Sequence, residues 1–336
     1  MLEKIVKNTD IMLVTMIDTD IRQTLGESYK KYYNIENHDN NIIETVNTPK
    51  GQLRRIKRVE GSTAWVIESF LKDKQDIEKY LSIPFEPFSE LSTEEYEYYE
   101  GIIGEEGVVL NRISDPASIP YDWFKPEQYY LSLMDNENLI YRLTEELSYR
   151  IEDYLEKLLI KGVNKFIIAG CERFGGGLTN PKYFNDLVYR YDKRLVSKIH
   201  EYNGIAQVHM HGKVKDYLEK IIDMGFDCIE PVEEPPGGDL YLDDARKIIG
   251  DRMCILGNLD DLQFLSIASE EDIIKKSLEA ILKAGKNNNY ILGGTSSSMF
   301  SEKITDAFIL MAEVVKVYGN YPLDLDKISD YLSSLS

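Results

Sequence analysis

The 336-residue chain is short of cysteine, histidine and positive charge. Its three cysteines, Cys171, Cys228 and Cys254, are odd in number and widely spaced. No disulfide framework is implied, and a reducing compartment fits. Lys and Arg total 39 against 58 Asp and Glu, for a net charge of −19. Phosphate contacts need clustered basic residues, so this balance argues against broad nucleic-acid binding and against an anionic membrane surface as partner. No apolar run reaches the length that spans a bilayer, and the stretch near the N-terminus is short and flanked by charge. A cytoplasmic location is the expectation. What the chain does have is a 43% hydrophobic fraction, enough for a sizeable core.

The organisation changes near residue 100. Residues 1–336 read as a single domain in two parts: an irregular part over 1–100 that includes the first strands, and regular β/α units over 101–336. In the first part, residues 11–16 form a compact apolar run. Residues 41–46 and 52–59 flank Thr48-Pro49-Lys50-Gly51, where Pro presets φ and Gly accepts a positive φ, so a hairpin is predicted. Residues 63–70 are a further β-branched and aromatic run. Residues 73–100, acidic and rich in tyrosine, read as a helix followed by a surface connection.

From 105 onward, short apolar strands (108–113, 165–170, 205–209, 227–231, 253–257, 290–293) alternate with helical stretches (136–161, 181–203, 214–224, 241–249, 270–284, 302–318). Unalternating apolar strands between amphipathic helices predict a parallel sheet covered on both faces. Gly225, Gly250, Gly285 and Gly319 stand where left-handed helix caps belong. Adding 11–16 and 63–70 to the six later strands gives eight. The predicted fold class is therefore α/β, a (β/α)8 TIM barrel with a hairpin-containing N-terminal elaboration. An open doubly wound sheet is the alternative, but no G-x-G-x-x-G loop supports it.

Barrel active sites lie at the C-terminal ends of the strands. There the sequence places Cys171, Glu172 and Arg173, then His209 and His211, then Glu233, Glu234 and Asp239, then Asn258, Asp260 and Asp261, and finally Thr295 and Ser296. Two residues apart on an extended segment, His209 and His211 point to one side and can share a metal ion, with a Cys, Glu or Asp from a neighbouring strand end as third ligand. Each of these residues also has a plainer reading. Cys171 suits a thiolate ligand or a small buried apolar residue. Glu172 suits a ligand, an acid/base or a helix N-terminal charge. The loop Pro235-Pro236-Gly237-Gly238 either holds a carboxylate over the mouth or is a solvated turn. The serines after Gly294 bind substrate or cap the next helix.

The order of motifs over about 165–319 resembles the uroporphyrinogen decarboxylase-like superfamily, which includes cobalamin-dependent methyltransferases. The matching stretches are Glu172 with its following glycines, Pro181-x-x-Phe184, His209-x-His211-Gly212, Gly225-Phe226-Asp227, Gly250-Asp251-Arg252, Gly257-Asn258-Leu259-Asp260, Ile291-Leu292-Gly293 and Tyr318-Gly319. The resemblance implies a (β/α)8 barrel and one of two chemistries. In the methyltransferase branch, zinc held by a His-x-Cys-Gly element and a later Cys activates a thiol, which takes a methyl group from a corrinoid protein. Here His211 replaces the first thiolate and the later position falls near Ser296, so a two-thiolate site is absent. His209, His211, Glu233 and Cys171 are then the candidate metal ligands. Glu172, Asp239 and Asp260 are the candidate catalytic residues, and Arg173, Asn258 and Ser296 the candidate substrate contacts. The implied partners are a corrinoid (methylcobalamin) protein and a small methyl acceptor, a thiol or a folate-type cofactor. In the decarboxylase branch no metal is used and an Arg-rich N-terminal segment holds a carboxylated tetrapyrrole. Arg22-Gln23 is a faint echo of that segment and lacks its second Arg, which ranks decarboxylation below methyl transfer.

Overall fold

The computed structural model describes residues 2–61, 63–287, 289–295 and 301–335. Eleven strands occur among them: β1 (Ile11–Thr15), β2 (Tyr33–His38), β3 (Asn41–Thr48), β4 (Gly51–Glu60), β5 (Thr63–Glu68), β6 (Gly107–Ser114), β7 (Lys165–Ala169), β8 (Ile205–His209), β9 (Cys228–Glu230), β10 (Cys254–Leu259) and β11 (Tyr290–Gly294). Seven make one parallel sheet in the order β1-β6-β7-β8-β9-β10-β11, and four make a second, antiparallel sheet in the order β2-β3-β4-β5. The parallel strands are apolar along their length because helices cover them; β7, for example, is buried from Phe166 to Ala169.

The parallel sheet curls. Helix Leu2–Asn8, before β1, packs against helix Glu302–Tyr318, after β11, and Lys316 Nζ donates to the Asn8 carbonyl at 3.3 Å. The two edges therefore approach one another, giving a TIM-like sheet of seven strands. Among the described residues no strand pairs β11 with β1. The predicted closed eight-stranded barrel is corrected on this point. The run 63–70 does not join the parallel sheet: β5 pairs antiparallel with β4, with Glu60 opposite Thr63. A two-residue connection enforces that pairing, because a parallel partner needs a crossover of roughly a dozen residues. The predicted hairpin at 48–51 forms, with Thr48 opposite Gly51 and Gly51 at φ 128°. β2, unpredicted, extends it.

The antiparallel sheet is rooted at the C-terminal end of the parallel one. Arg55, on β4, lies buried against Glu44 of β3 at 2.7 Å and reaches Asp20, which follows β1, at 3.4 Å. Asp20 also accepts the Trp123 indole N–H at 2.5 Å. Burial alone would raise the Glu44 carboxyl, but Arg55 and Lys57 hold it down to about 2.

The helices follow the predicted periodicity. Helix Glu137–Ile160 buries Leu143, Leu147, Ile151, Leu155 and Leu158 on one face. The segment 73–100, predicted as a helix followed by a surface connection, holds the helix Lys74–Tyr80 and then a second, unpredicted one, Glu94–Ile103. Of the four predicted glycine caps, Gly225 is left-handed at φ 92° and Gly250 has φ 59°. Gly285 and Gly319 keep right-handed φ values. At Gly319 the requirement is space, since a Cβ would meet the Val315 carbonyl oxygen at 2.8 Å. No helix among the described residues is long and apolar enough to cross a membrane.

Candidate active site

β8 delivers two imidazoles to its C-terminal end. Gln207, His209 and His211 follow one another at intervals of two, so an extended backbone turns all three the same way. The rings of His209 and His211 meet edge to face with centroids 4.6 Å apart. Each has its own carboxylate from the next strand and its loop. His209 Nδ1 lies 3.7 Å from Glu230 Oε2, and that oxygen accepts the Gln207 amide at 2.6 Å. His211 Nδ1 lies 3.1 Å from Glu233 Oε1, while Glu233 Oε2 accepts the Gly212 backbone N–H at 2.5 Å. The hydrogen bond to Glu233 raises the His211 pKa above its ordinary 6.5, outweighing burial, and the charges of Glu172 and Glu230 add to it. Burial would lift the Glu233 carboxyl, but the bonds from His211 and Gly212 bring it below its ordinary value.

Beside this pair, after β7, Arg173 bridges two carboxylates: Glu172 at 2.7 Å and Asp122 at 3.3 Å. Its guanidinium lies 4.7 Å over the Tyr121 ring, and its carbonyl accepts the Tyr130 hydroxyl at 2.9 Å. Tyr121, Tyr129 and Tyr130 pack edge-on around one another and against Phe174. The tyrosines of this stretch thus form an aromatic cluster beside Arg173.

The sequence-predicted residues divide by what their side chains do. His209, His211, Glu233, Glu172 and Arg173 converge. Asp239 Oδ1 accepts the backbone N–H groups of Val214 and Lys215 at 3.0 and 3.1 Å, which pins the loop after His211. Asp260 Oδ1 accepts those of Leu262 and Gln263, as a helix cap. Asn258 donates to the Val232 carbonyl at 2.8 Å. Cys171 is fully buried, with its thiol 3.9 Å from the His209 carbonyl oxygen. Burial, then the neighbouring charges of Glu172, Asp192 and Asp115, pushes that thiol well above its ordinary value. Ser296 lies outside the described residues.

This donor chemistry does not fit the expected zinc. The Cys171 thiol is buried against the His209 carbonyl oxygen, and both Glu233 oxygens are engaged by His211 and Gly212. Among the described residues no three His, Cys, Asp or Glu side chains come together as a set that could hold a metal ion. His209, His211, Glu233 and Cys171 therefore form no ligand set here.

Sequence reasoning missed four polar residues. Gln207 and Glu230 stand as polar interruptions in otherwise apolar strands, a signal visible in the sequence. Asp115, after β6, and Asp192, on helix Arg190–Glu201, form a wholly buried carboxyl pair behind Cys171 and Glu172. Asp115 Oδ1 accepts the Ala117 N–H at 2.9 Å, and the other oxygens of the pair have only each other. Burial first, then the charge of Glu172, raises Asp115 to about 7, and burial with Asp115 raises Asp192. The pair retains a proton to neutrality.

Residues 124–314, more than half of the chain, match the sequence profile of uroporphyrinogen decarboxylase (URO-D). No curated protein matches the chain. Among solved structures, the fold is similar to that of a methyltransferase from Methanosarcina mazei, with a TM-score of 0.53 and 17% sequence identity over 65% of this chain and 61% of that one. At that identity the likeness is one of fold.

Proposed function

The chain belongs to the uroporphyrinogen decarboxylase family, and from that premise we propose that it is a methyltransferase moving a methyl group from a corrinoid protein to a small acceptor that carries a thiol or a folate-type N–H. The observation that carries this reading is the charge state of the mouth. The two arginines that sequence analysis singled out, Arg22 as an echo of the tetrapyrrole-holding segment and Arg173 as a substrate contact, are already neutralised: Arg22 by Asp18 at 2.9 Å, and Arg173 by Glu172 and Asp122. What the mouth offers instead is an imidazole with a carboxylate behind it. That suits removal of one proton from a neutral acceptor better than a cradle for many carboxylates.

A methylated corrinoid supplies, when bound, an electrophilic methyl group. The acceptor must lose a proton as its sulfur or nitrogen takes that methyl. Glu233 ties up Nδ1 of His211, which leaves Nε2 as the base. The proton passes to Nε2, and Glu233 stabilises the imidazolium that results. Glu230 and Gln207 fix His209 beside it. Arg173, held on the Tyr121 face, positions the Glu172 carboxylate at the rim.

A second reading is favoured by the raised pKa of His211. An imidazolium present near neutrality can protonate the carbanion left by loss of CO2, so a decarboxylase would use the same residue as a donor. One assay separates the two. Methylcobalamin is supplied with a thiol or tetrahydrofolate, and its absorbance is followed. Transfer is expected, with a loss of roughly 100-fold or more in His211→Ala. No transfer by the wild type, together with CO2 release from a carboxylated tetrapyrrole, would sink the methyl-transfer reading.

A further inference from the structure

At the opposite end of the parallel sheet, Cys228 opens β9 and Cys254 opens β10, and the two are direct register partners. We propose that they form an oxidisable dithiol, in which a peroxide oxidises Cys254 and Cys228 then closes a disulfide between the two strands.

Three observations support this. The first is spacing. Register partners on neighbouring strands have Cα atoms about 5 Å apart, within the range a disulfide spans. The two thiols donate to the carbonyls of Ile229 and Ile255, at 3.8 and 3.7 Å. The second is an unmatched buried cation. Arg246 is 6% exposed and donates to the carbonyls of Ala284, Gly250, Met253 and Asn289. Among the described residues no carboxylate pairs with it. A buried guanidinium bonded only to neutral carbonyls favours an anion nearby, and the ionisable group that acts on it most strongly is Cys254. Neighbouring Cys228, against the effect of burial and with the help of Arg246, lowers the Cys254 thiol below its ordinary value, whereas Cys228 is raised. The third is access. Cys254 is partly exposed, while Cys228 is 7% exposed. One thiol is thus suited to meet the oxidant and the other to resolve the product.

The chemistry balances. The Cys254 thiolate attacks one peroxide oxygen, the O–O bond breaks, and hydroxide leaves; the sulfur becomes a sulfenic acid, oxidised by two electrons. The Cys228 sulfur attacks that sulfur. The S–S bond forms, the S–O bond breaks, and the departing hydroxide takes the Cys228 proton as water.

The full chain is reduced, treated with a small excess of hydrogen peroxide, denatured, and alkylated with N-ethylmaleimide. The expected result is a fall from three alkylated thiols to one, Cys171, with one peptide pair joined through Cys228 and Cys254 and restored by dithiothreitol. In Cys228→Ser the joined pair disappears and dimedone labels Cys254. In Cys254→Ser neither product forms. Three free thiols after oxidant exposure that fully oxidises glutathione would overturn the proposal. So would dimedone labelling of Cys171 rather than Cys254 in Cys228→Ser, or cross-links formed only between chains.

Discussion

Glu233 holds His211 and the backbone that follows it with the same carboxylate: one oxygen lies 3.1 Å from Nδ1 of the imidazole and the other accepts the Gly212 N–H. The ring is thereby fixed in orientation and its charged form is favoured. Glu233→Gln keeps the shape and removes the anion. The His211 pKa, read by NMR of the imidazole, is expected above 6.5 in the wild type and lower in the variant. Because the neutral imidazole is the base in methyl transfer, the rising limb of the rate against pH should move to lower pH in Glu233→Gln. The rate at its plateau should fall roughly 10-fold or more for want of the stabilising carboxylate. An unmoved His211 titration would show that Glu233 does not control this ring.

The buried pair Asp115 and Asp192 gives a stability prediction of opposite sign to the usual carboxylate. With folded pKa values above their ordinary 3.8, these groups bind more protons in the folded than in the unfolded chain. Stability contributed by the shared proton is therefore complete below about pH 4 and is lost as pH rises through about 7. Asp192→Asn supplies a permanent N–H donor to Asp115 and removes the need for that proton. Urea unfolding at pH 8 should show the variant more stable by on the order of 2 kcal/mol, with the gap closing toward pH 5. A variant less stable than wild type at pH 8 would contradict the pairing.

The root of the antiparallel sheet tests the ordinary case. Glu44 and Arg55 are both nearly inaccessible, with side chains 2% and 4% exposed. Arg55→Met leaves Glu44 with Lys57 at 3.0 Å as its remaining cation and leaves Asp20 without its guanidinium. A loss of roughly 2–4 kcal/mol is expected, below the full cost of an orphaned buried charge because Lys57 remains. Glu44 has its folded pKa depressed to about 2, so its contribution is present above its ordinary 4.5 and is lost as pH falls from there toward 2. Acid unfolding followed by circular dichroism should therefore begin at higher pH in Arg55→Met.

Much of this was legible in the sequence. Strand and helix alternation located six of the seven parallel strands after residue 105, and the apolar run at 11–16 located the other. His209 and His211 announced themselves because polar residues at a strand end have few packing reasons to be there. The closed barrel was misread at β5, whose composition suits a strand but whose two-residue connection to β4 fixes it antiparallel. Composition reports that a strand exists, and connection length reports how it pairs. Asp115 and Asp192 were invisible for a different reason. They lie on a loop and a helix far apart in sequence, and only packing makes them neighbours. Cys171 reads two ways from sequence, and its complete burial could not be told from composition.

The loop Pro235-Pro236-Gly237-Gly238 links backbone space to the chemistry of the site. A Cβ on Gly238 would meet the Glu233 carbonyl oxygen at 2.0 Å and the Glu233 Cβ at 2.9 Å, distances that real contacts do not tolerate. A Cβ on Gly237 would meet its nearest neighbours at 3.8 and 4.0 Å, which is ordinary contact. The two adjacent glycines therefore differ in kind, and alanine at each separates them. Gly238→Ala must push the backbone of Glu233 away, and its carboxylate with it. The His211 titration should then fall toward its ordinary value, as in Glu233→Gln, and turnover should drop by roughly 10-fold or more although no catalytic group is altered. Gly237→Ala should titrate and turn over like the wild type. Equal effects from both substitutions would mean that the loop matters only for its flexibility. An effect confined to Gly238→Ala would mean that this glycine lets the loop close tightly enough to bring a carboxylate onto the imidazole.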